Sequence, residues 1–337
     1  MTRRYGIAVI GAGDMGGKHA EGWHLAGHDV VSITDVDTAR AQELATTRGV
    51  EAIHQDFEQA VDDVNVDIVS ICLPLAFHAP VTICAARHGK HILCEKPLAR
   101  TSREAAAMEA AVNAAGVQFG LGFQRNLAEG VGLLRQWAAE GKFGRPMVFN
   151  SDLLQEVRPK RAMHDRNGND GPLVDTGCHS YMLWQTVFRS RPKAVYVQGR
   201  IIATGRSEIA HFDQLAIDTG VVTMEYDSGD IATMTVSWGL AEKCQMRGRS
   251  DRVSGPDGGA EGQVNSELTL YAGDSVEIVT IESTNLHQVE FELFCEALER
   301  GGSPPHGFEA GKQMLAITQA IHESISTGKV VPVSYDF

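Results

Sequence analysis

No two cysteines in this chain are spaced as CxxC; the six stand at positions 72, 84, 94, 178, 244 and 295. That spacing excludes the common zinc-ribbon and thioredoxin-like motifs, and several of them sit in apolar strand-like runs, so reduced core cysteines are expected. Positive charge is also scarce, with 30 Lys and Arg against 43 Asp and Glu and a formal net charge of −13. Such a balance opposes nucleic acid and anionic lipid, whose binding relies on clustered Lys and Arg, and favours a small uncharged partner. No segment reaches the roughly 18 uncharged apolar residues that a membrane span requires. Thr2-Arg3-Arg4 before the apolar run to Ile10 superficially resembles a secretory signal, but Asp14 and Lys18 interrupt it and no A-x-A site follows. Repeats and low-complexity tracts are missing too. A cytoplasmic, unprocessed chain is expected, with no metal.

What is present is an ordinary globular composition, 43% hydrophobic and 22% charged over 337 residues, a length that suggests two domains. Up to residue 123, short apolar runs alternate with amphipathic stretches. Strands are expected at Ile7–Ile10, Val30–Thr34, Asp67–Leu73, His91–Cys94 and Gln118–Leu121, with helices near 15–26, 37–48, 78–88 and 102–115. That pattern predicts an α/β doubly wound parallel sheet, a Rossmann domain over residues 1–123. After a helix near 126–140, longer alternating strands (Met147–Leu154, Lys193–Ile202, Val221–Tyr226, Ile231–Trp238, Glu267–Tyr271) predict an α+β domain over 124–337 with a large, mostly antiparallel sheet. One face of that sheet is expected to bury against helices near 172–188 and 287–300. The other carries enough apolar residues to mediate a homodimer or homotetramer. Lys243–Gln263, polar and glycine-rich, reads as a long loop, and a last helix is expected over Glu309–Thr327.

Gly11-Ala12-Gly13-Asp14-Met15-Gly16 follows the first apolar strand and opens a helix. In a dinucleotide fingerprint the first glycine makes the tight turn, the second admits the pyrophosphate and the third lets helix and strand approach. The helix N-terminus then receives the diphosphate. Asp35 follows the second strand at the distance where an acidic residue meets the ribose hydroxyls of NAD, and with Asp37 it would repel the 2′-phosphate of NADP. The bland alternative for Asp35 is a helix cap. NAD is the expected cofactor.

Four further strings resemble the glucose–fructose oxidoreductase and inositol dehydrogenase (Gfo/Idh/MocA) family. These are Ile71-Cys72-Leu73-Pro74 with His78, Gly89–Pro97 with its Glu95-Lys96-Pro97 motif, Gly122-Phe123-Gln124-Arg125, and Gly171-Pro172-Leu173-Val174-Asp175-Thr176-Gly177-Cys178-His179. The resemblance implies cofactor contacts by Leu73, Pro74, His78, Glu95, Lys96 and Gln124, and a cis Lys96–Pro97 bond. It implies a catalytic group of Lys96, Asp175 and His179, with Arg125 and His164 beside the substrate. His78 and Arg125 can equally serve only to stabilise the domain junction. Pro172 suits a first helical position, which would set Asp175 and His179 at i and i+4 on one helix face. A carboxylate one turn from an imidazole orients the ring and stabilises its protonated form, as a general base requires. Lys96 would polarise the reacting oxygen.

The implied activity is NAD-dependent oxidation of a ring hydroxyl in a sugar, inositol or related polyol. Two rivals remain: an NAD-retaining glycoside hydrolase acting by transient oxidation, and a non-catalytic sugar sensor. Asn169 and Asp170 replace glycines that commonly precede the signature, and Met182 and Asn126 depart from the family pattern as well. The basic stretch Arg158–Arg166 either binds hydroxyls or an anionic group beside the pocket or is a solvated loop.

Overall fold

The structure, a computed structural model, describes residues 3–336. It contains two compact units. The first comprises residues up to Gln124 together with Asn285–Leu315; the second comprises Arg125–Thr284 and Ala316–Asp336.

In the first unit the chain runs β1 (Gly6–Ile10), α1 (Asp14–Leu25), β2 (Asp29–Thr34), α2 (Thr38–Arg48), β3 (Ala52–His54), α3 (Phe57–Asp62), β4 (Ile68–Ile71), α4 (His78–Arg87), β5 (His91–Glu95), α5 (Ser102–Ala115) and β6 (Phe119–Gly122). The strands form one parallel sheet in the order β3-β2-β1-β4-β5-β6, the doubly wound Rossmann order. Every residue of β1 is buried, as expected of a strand covered on both faces. Local chemistry sets the helix ends. The Thr101 hydroxyl accepts from the Glu104 N–H at the start of α5, and Gly116 closes that helix at φ 68°.

In the second unit the chain continues through α6 (Glu129–Ala139), β7 (Val148–Glu156), α7 (Arg161–His164), α8 (Pro172–Asp175), α9 (Gly177–Phe188), β8 (Pro192–Arg200), β9 (Thr219–Tyr226), β10 (Ile231–Leu240), β11 (Gly248–Gly255), β12 (Gly258–Gln263), β13 (Glu267–Ala272) and β14 (Ser275–Thr280). After α10 (Leu286–Arg300) and α11 (Phe308–Thr327), β15 (Val331–Pro332) completes a nine-stranded sheet. Its order is β14-β13-β12-β11-β7-β10-β9-β8-β15, antiparallel throughout except for the β7–β10 pair.

Two expectations are corrected. Residues 248–263 form the β11–β12 hairpin rather than a loop. Their glycines serve strand packing: a Cβ on Gly258 would come within 2.3 Å of the Tyr271 carbonyl, and one on Gly259 within 2.6 Å of the Val253 carbonyl. Helix α10 packs on α1 in the first unit rather than on the second sheet. Phe291 stacks on Trp23 at 4.2 Å between ring centroids, and a Cβ on Gly22 would come within 2.8 Å of the Phe291 ring. All six cysteines are free, with Cys94, Cys178 and Cys295 buried. Among the described residues no helix is long and apolar enough to cross a membrane.

Candidate active site

The glycine loop joins β1 to α1. Gly11 adopts φ 102°, and a Cβ there would sit 2.4 Å from the Cys72 carbonyl; one on Gly16 would sit 1.9 Å from the Gly11 carbonyl. Both positions therefore require glycine. Around Gly13 the reverse holds, since a Cβ would meet nothing within 4 Å. The N-cap of α1 is Gly13, which offers no side-chain acceptor to the first N–H groups of the helix. A tight turn, open space at the middle glycine and an uncapped helix start, with Asp14 and Met15 in the first turn, fit the pyrophosphate of a dinucleotide.

Asp35, at the end of β2, accepts from the Ala12 N–H at 2.8 Å and from the Asp37 N–H at 2.9 Å. It thus braces the glycine loop. The helix cap is instead Asp37, which accepts from the Arg40 N–H at the start of α2. Leu73 and Pro74 follow β4 beside this loop, with a Leu73 methyl 3.2 Å from where a Gly11 Cβ would lie.

His78 and Glu95 are buried and hydrogen-bonded within the first unit. The His78 ring faces the Pro97 carbonyl through Nδ1 at 2.7 Å and the Leu73 carbonyl through Nε2 at 2.9 Å, joining the segments after β4 and β5. Burial outweighs these two carbonyls and lowers the pKa of the ring. Glu95 accepts from the Lys96 N–H and contacts His19 Nε2 at 3.0 Å. Burial alone would raise its pKa, but the His19 hydrogen bond and charge, with Lys96 and His287, hold it at about 2. The Lys96–Pro97 peptide is cis.

Sequence reasoning missed the polar chain around Glu95. Trp23 Nε1 donates to Ser70 Oγ, which contacts His19 Nδ1 at 2.8 Å, and Gln124 Nε2 lies 3.1 Å from His287 Nε2. His19, Glu95 and His287 bring their ligand-type atoms within 4.8 Å of one another. Nothing local in the sequence signals this grouping, whose members come from α1, β5 and α10.

In the second unit the Asp-His signature spans a junction between two helices. Pro172 opens α8, which ends at Asp175; Thr176 breaks the helix and His179 lies in the first turn of α9. The single helix expected over 172–188 is thus replaced by a short turn and a longer helix. Gly171 (φ 76°) passes so close to Ile217 that a Cβ would sit 2.3 Å from its carbonyl. Asp170 also adopts a left-handed conformation (φ 62°), which accounts for a glycine being common there, and its carboxylate pairs with His322 at 2.7 Å. Asn169, the other departure from the family pattern, donates from Nδ2 to Asp175 Oδ1 at 3.1 Å. A residue set aside from the sequence thus holds the signature carboxylate.

His179 is 4% exposed. His164 is 1% exposed, and its Nε2 accepts from the Arg158 N–H, which ties it to the basic loop. Arg125 lines a cavity of this unit, described below.

The parallel sheet with its glycine loop and the mixed sheet with its Asp-His signature define a two-unit dinucleotide-binding oxidoreductase. Residues 5–123 match the family described as an oxidoreductase family with NAD-binding Rossmann fold, and residues 131–261 match the GFO/IDH/MocA C-terminal domain; the chain belongs to this family. It is 24% identical over 331 residues to myo-inositol 2-dehydrogenase of Thermotoga maritima, covering 96% of this chain and 97% of the relative. To 1,5-anhydro-D-fructose reductase of Ensifer adhaerens it is 25% identical over 312 residues, covering 91% and 92% respectively. The solved structure of levoglucosan dehydrogenase with NADH and levoglucosan has the same fold, with a TM-score of 0.87 at 22% identity over 98% of this chain and all of that one.

Proposed function

We propose that this oxidoreductase oxidises a ring hydroxyl of a sugar, inositol or related polyol, with His179 accepting the hydroxyl proton. When bound, NAD supplies the hydride acceptor. The glycine loop and the open start of α1 would hold its pyrophosphate, and Asp35 its ribose hydroxyls. The observation that carries the reading is the Asn169–Asp175 hydrogen bond, because it holds the signature carboxylate four positions before the buried His179, the residue that must gain charge. Imidazole titrates near neutral pH and can therefore take the proton as the carbinol carbon is oxidised. The role of Lys96, polarising the reacting oxygen, rests on the motif resemblance. The relatives named above act on inositol and anhydro-sugar substrates by name, which supports the same class here.

The test is NADH absorbance with purified protein across inositols, aldoses, sugar acids and glycosides, run with both NAD and NADP. NADH formation with a higher kcat/KM for NAD is expected. Release of an aglycone without net NADH would instead identify a hydrolase.

We also propose a homo-oligomer formed through the outer face of the nine-stranded sheet. Val148, Tyr196, Val221, Ile231 and Tyr271 stand exposed on its strands beside buried residues of the opposite face. Light scattering at micromolar concentration should give a dimer or tetramer mass, and a monomer would contradict the assignment.

A further inference from the structure

The second unit contains a cavity of about 340 Å³ whose lining includes Arg125, Arg158, Arg247 and Arg249, together with Gln155 and Glu156. Four guanidinium groups converge there in a chain whose net charge is −13. Their internal partners are too few. Glu156 is shared between Arg158 at 3.1 Å and Arg247 at 3.6 Å. Asp251, fixed by the Ser151 hydroxyl at 2.6 Å, pairs with Arg249 at 2.7 Å. Among the described residues the Arg125 guanidinium makes no hydrogen bond or ion pair. Surrounding protein and the like charge of Arg249 lower its pKa, while Cys178, Asp175 and Asp251 act in the opposite sense. Even with Asp175 counted beside Glu156 and Asp251, positive charge is in excess.

Arg125 connects the cavity to the signature, because Asp175 and Cys178 both precede His179 within one turn of sequence and act electrostatically on the Arg125 guanidinium. A cavity of this size accommodates a monosaccharide. A neutral polyol would leave the crowded guanidinium groups repelling one another, whereas an oxyanion would accept from two of them in the forked geometry that arginine favours.

The geometry points to a substrate that carries an anionic group, a carboxylate or a phosphate, seated among Arg125, Arg158 and Arg247 while a hydroxyl of the same molecule is oxidised at His179. This inference rests on the dehydrogenase reading for its reaction, but the anion site stands on the cavity alone.

The experiment titrates the full chain, preloaded with NAD, with glucuronate, glucose 6-phosphate, glucose and myo-inositol by calorimetry, and follows NADH in parallel. At least one of the two anions should bind about tenfold or more tightly than glucose, as charge-assisted hydrogen bonds imply. The preference should weaken as salt is raised. Arg247→Gln and Arg158→Gln, both on the exposed rim, should each remove most of it while leaving the affinity for glucose unchanged, and Arg125→Gln should remove it as well. Whichever anion keeps the preference identifies carboxylate or phosphate as the source. Equal binding of glucose and both anions, equal loss of all ligands in the folded variants, or no binding at all would overturn the inference. NADH formation from neutral polyols without an anion preference would sink the anion site and leave the dehydrogenase reading standing. Arginine-dependent anion binding with no NADH from any ligand would do the reverse.

Discussion

His179 and Asn169 set the expectations at the scale of single residues. If the imidazole takes the hydroxyl proton, His179→Ala should lower kcat by about two to four orders of magnitude with NAD affinity nearly unchanged, measured by steady-state rates and fluorescence titration. Near-normal turnover in that variant would move the base to Lys96. Asn169→Ala removes one hydrogen bond from Asp175 and should cost about tenfold in kcat, with a shifted acidic limb in the pH–rate profile. An unshifted profile would make Asn169 a packing residue only. The signature itself was legible because its glycine, proline, aspartate and histidine lie within nine consecutive positions. His19 was not, because its partners Ser70 and Glu95 are 51 and 76 positions away and no local pattern points to them.

Among the elements, the alternation of apolar and polar residues located most strands and helices, since that period reports which face is buried. It failed where glycine replaced the alternation. In β11 and β12 the chain reads as polar and flexible, yet neighbouring carbonyls lie where any larger side chain would collide, so tertiary packing selected the residues. Helix α10 has an amphipathic pattern that fits either unit, and its packing on α1, with Phe291 stacked on Trp23, decides between them. Phe291 is fully buried, so Phe291→Ala should destabilise the protein by about 3–5 kcal/mol in urea denaturation. A loss below about 1 kcal/mol would show that α10 contributes little to the first unit.

For the whole molecule, stability against pH should reflect two groups that line one small cavity of about 10 Å³, the buried Glu290 on α10 and the half-buried His306. Burial, followed by the charge of Glu95, holds the Glu290 carboxyl well above its ordinary 4.5, with the Phe123 N–H opposing. The folded protein then keeps a proton that the unfolded chain has lost, so this contribution to stability falls as pH rises from 4.5 towards the folded-state value. Burial lowers His306 from 6.5 to about 4, so its contribution is present above 6.5 and is lost as pH falls towards 4. The two slopes oppose each other above 4.5 wherever they overlap. Glu290→Gln should flatten the slope that Glu290 contributes. In thermal melts the variant should therefore gain on the wild type as pH rises from 4.5, and a constant difference would refute the assignment.

The path of the chain between its two units bears on how the protein is made. Residues 285–315 belong to the first unit, so a ribosome must deliver residues 125–284 of the second unit before the Rossmann core can receive Phe291 and Phe294. Domains usually fold in order of synthesis, the N-terminal one first. Here the order is inverted: the early half emerges with part of its apolar core uncovered and waits for a late segment. A fragment ending at Thr284 should accordingly be open to protease throughout β1–β6, while the same fragment supplied with a peptide spanning 285–315 should regain protection. A fragment that resists digestion unaided would mean that the N-terminal unit is complete before its last helix arrives.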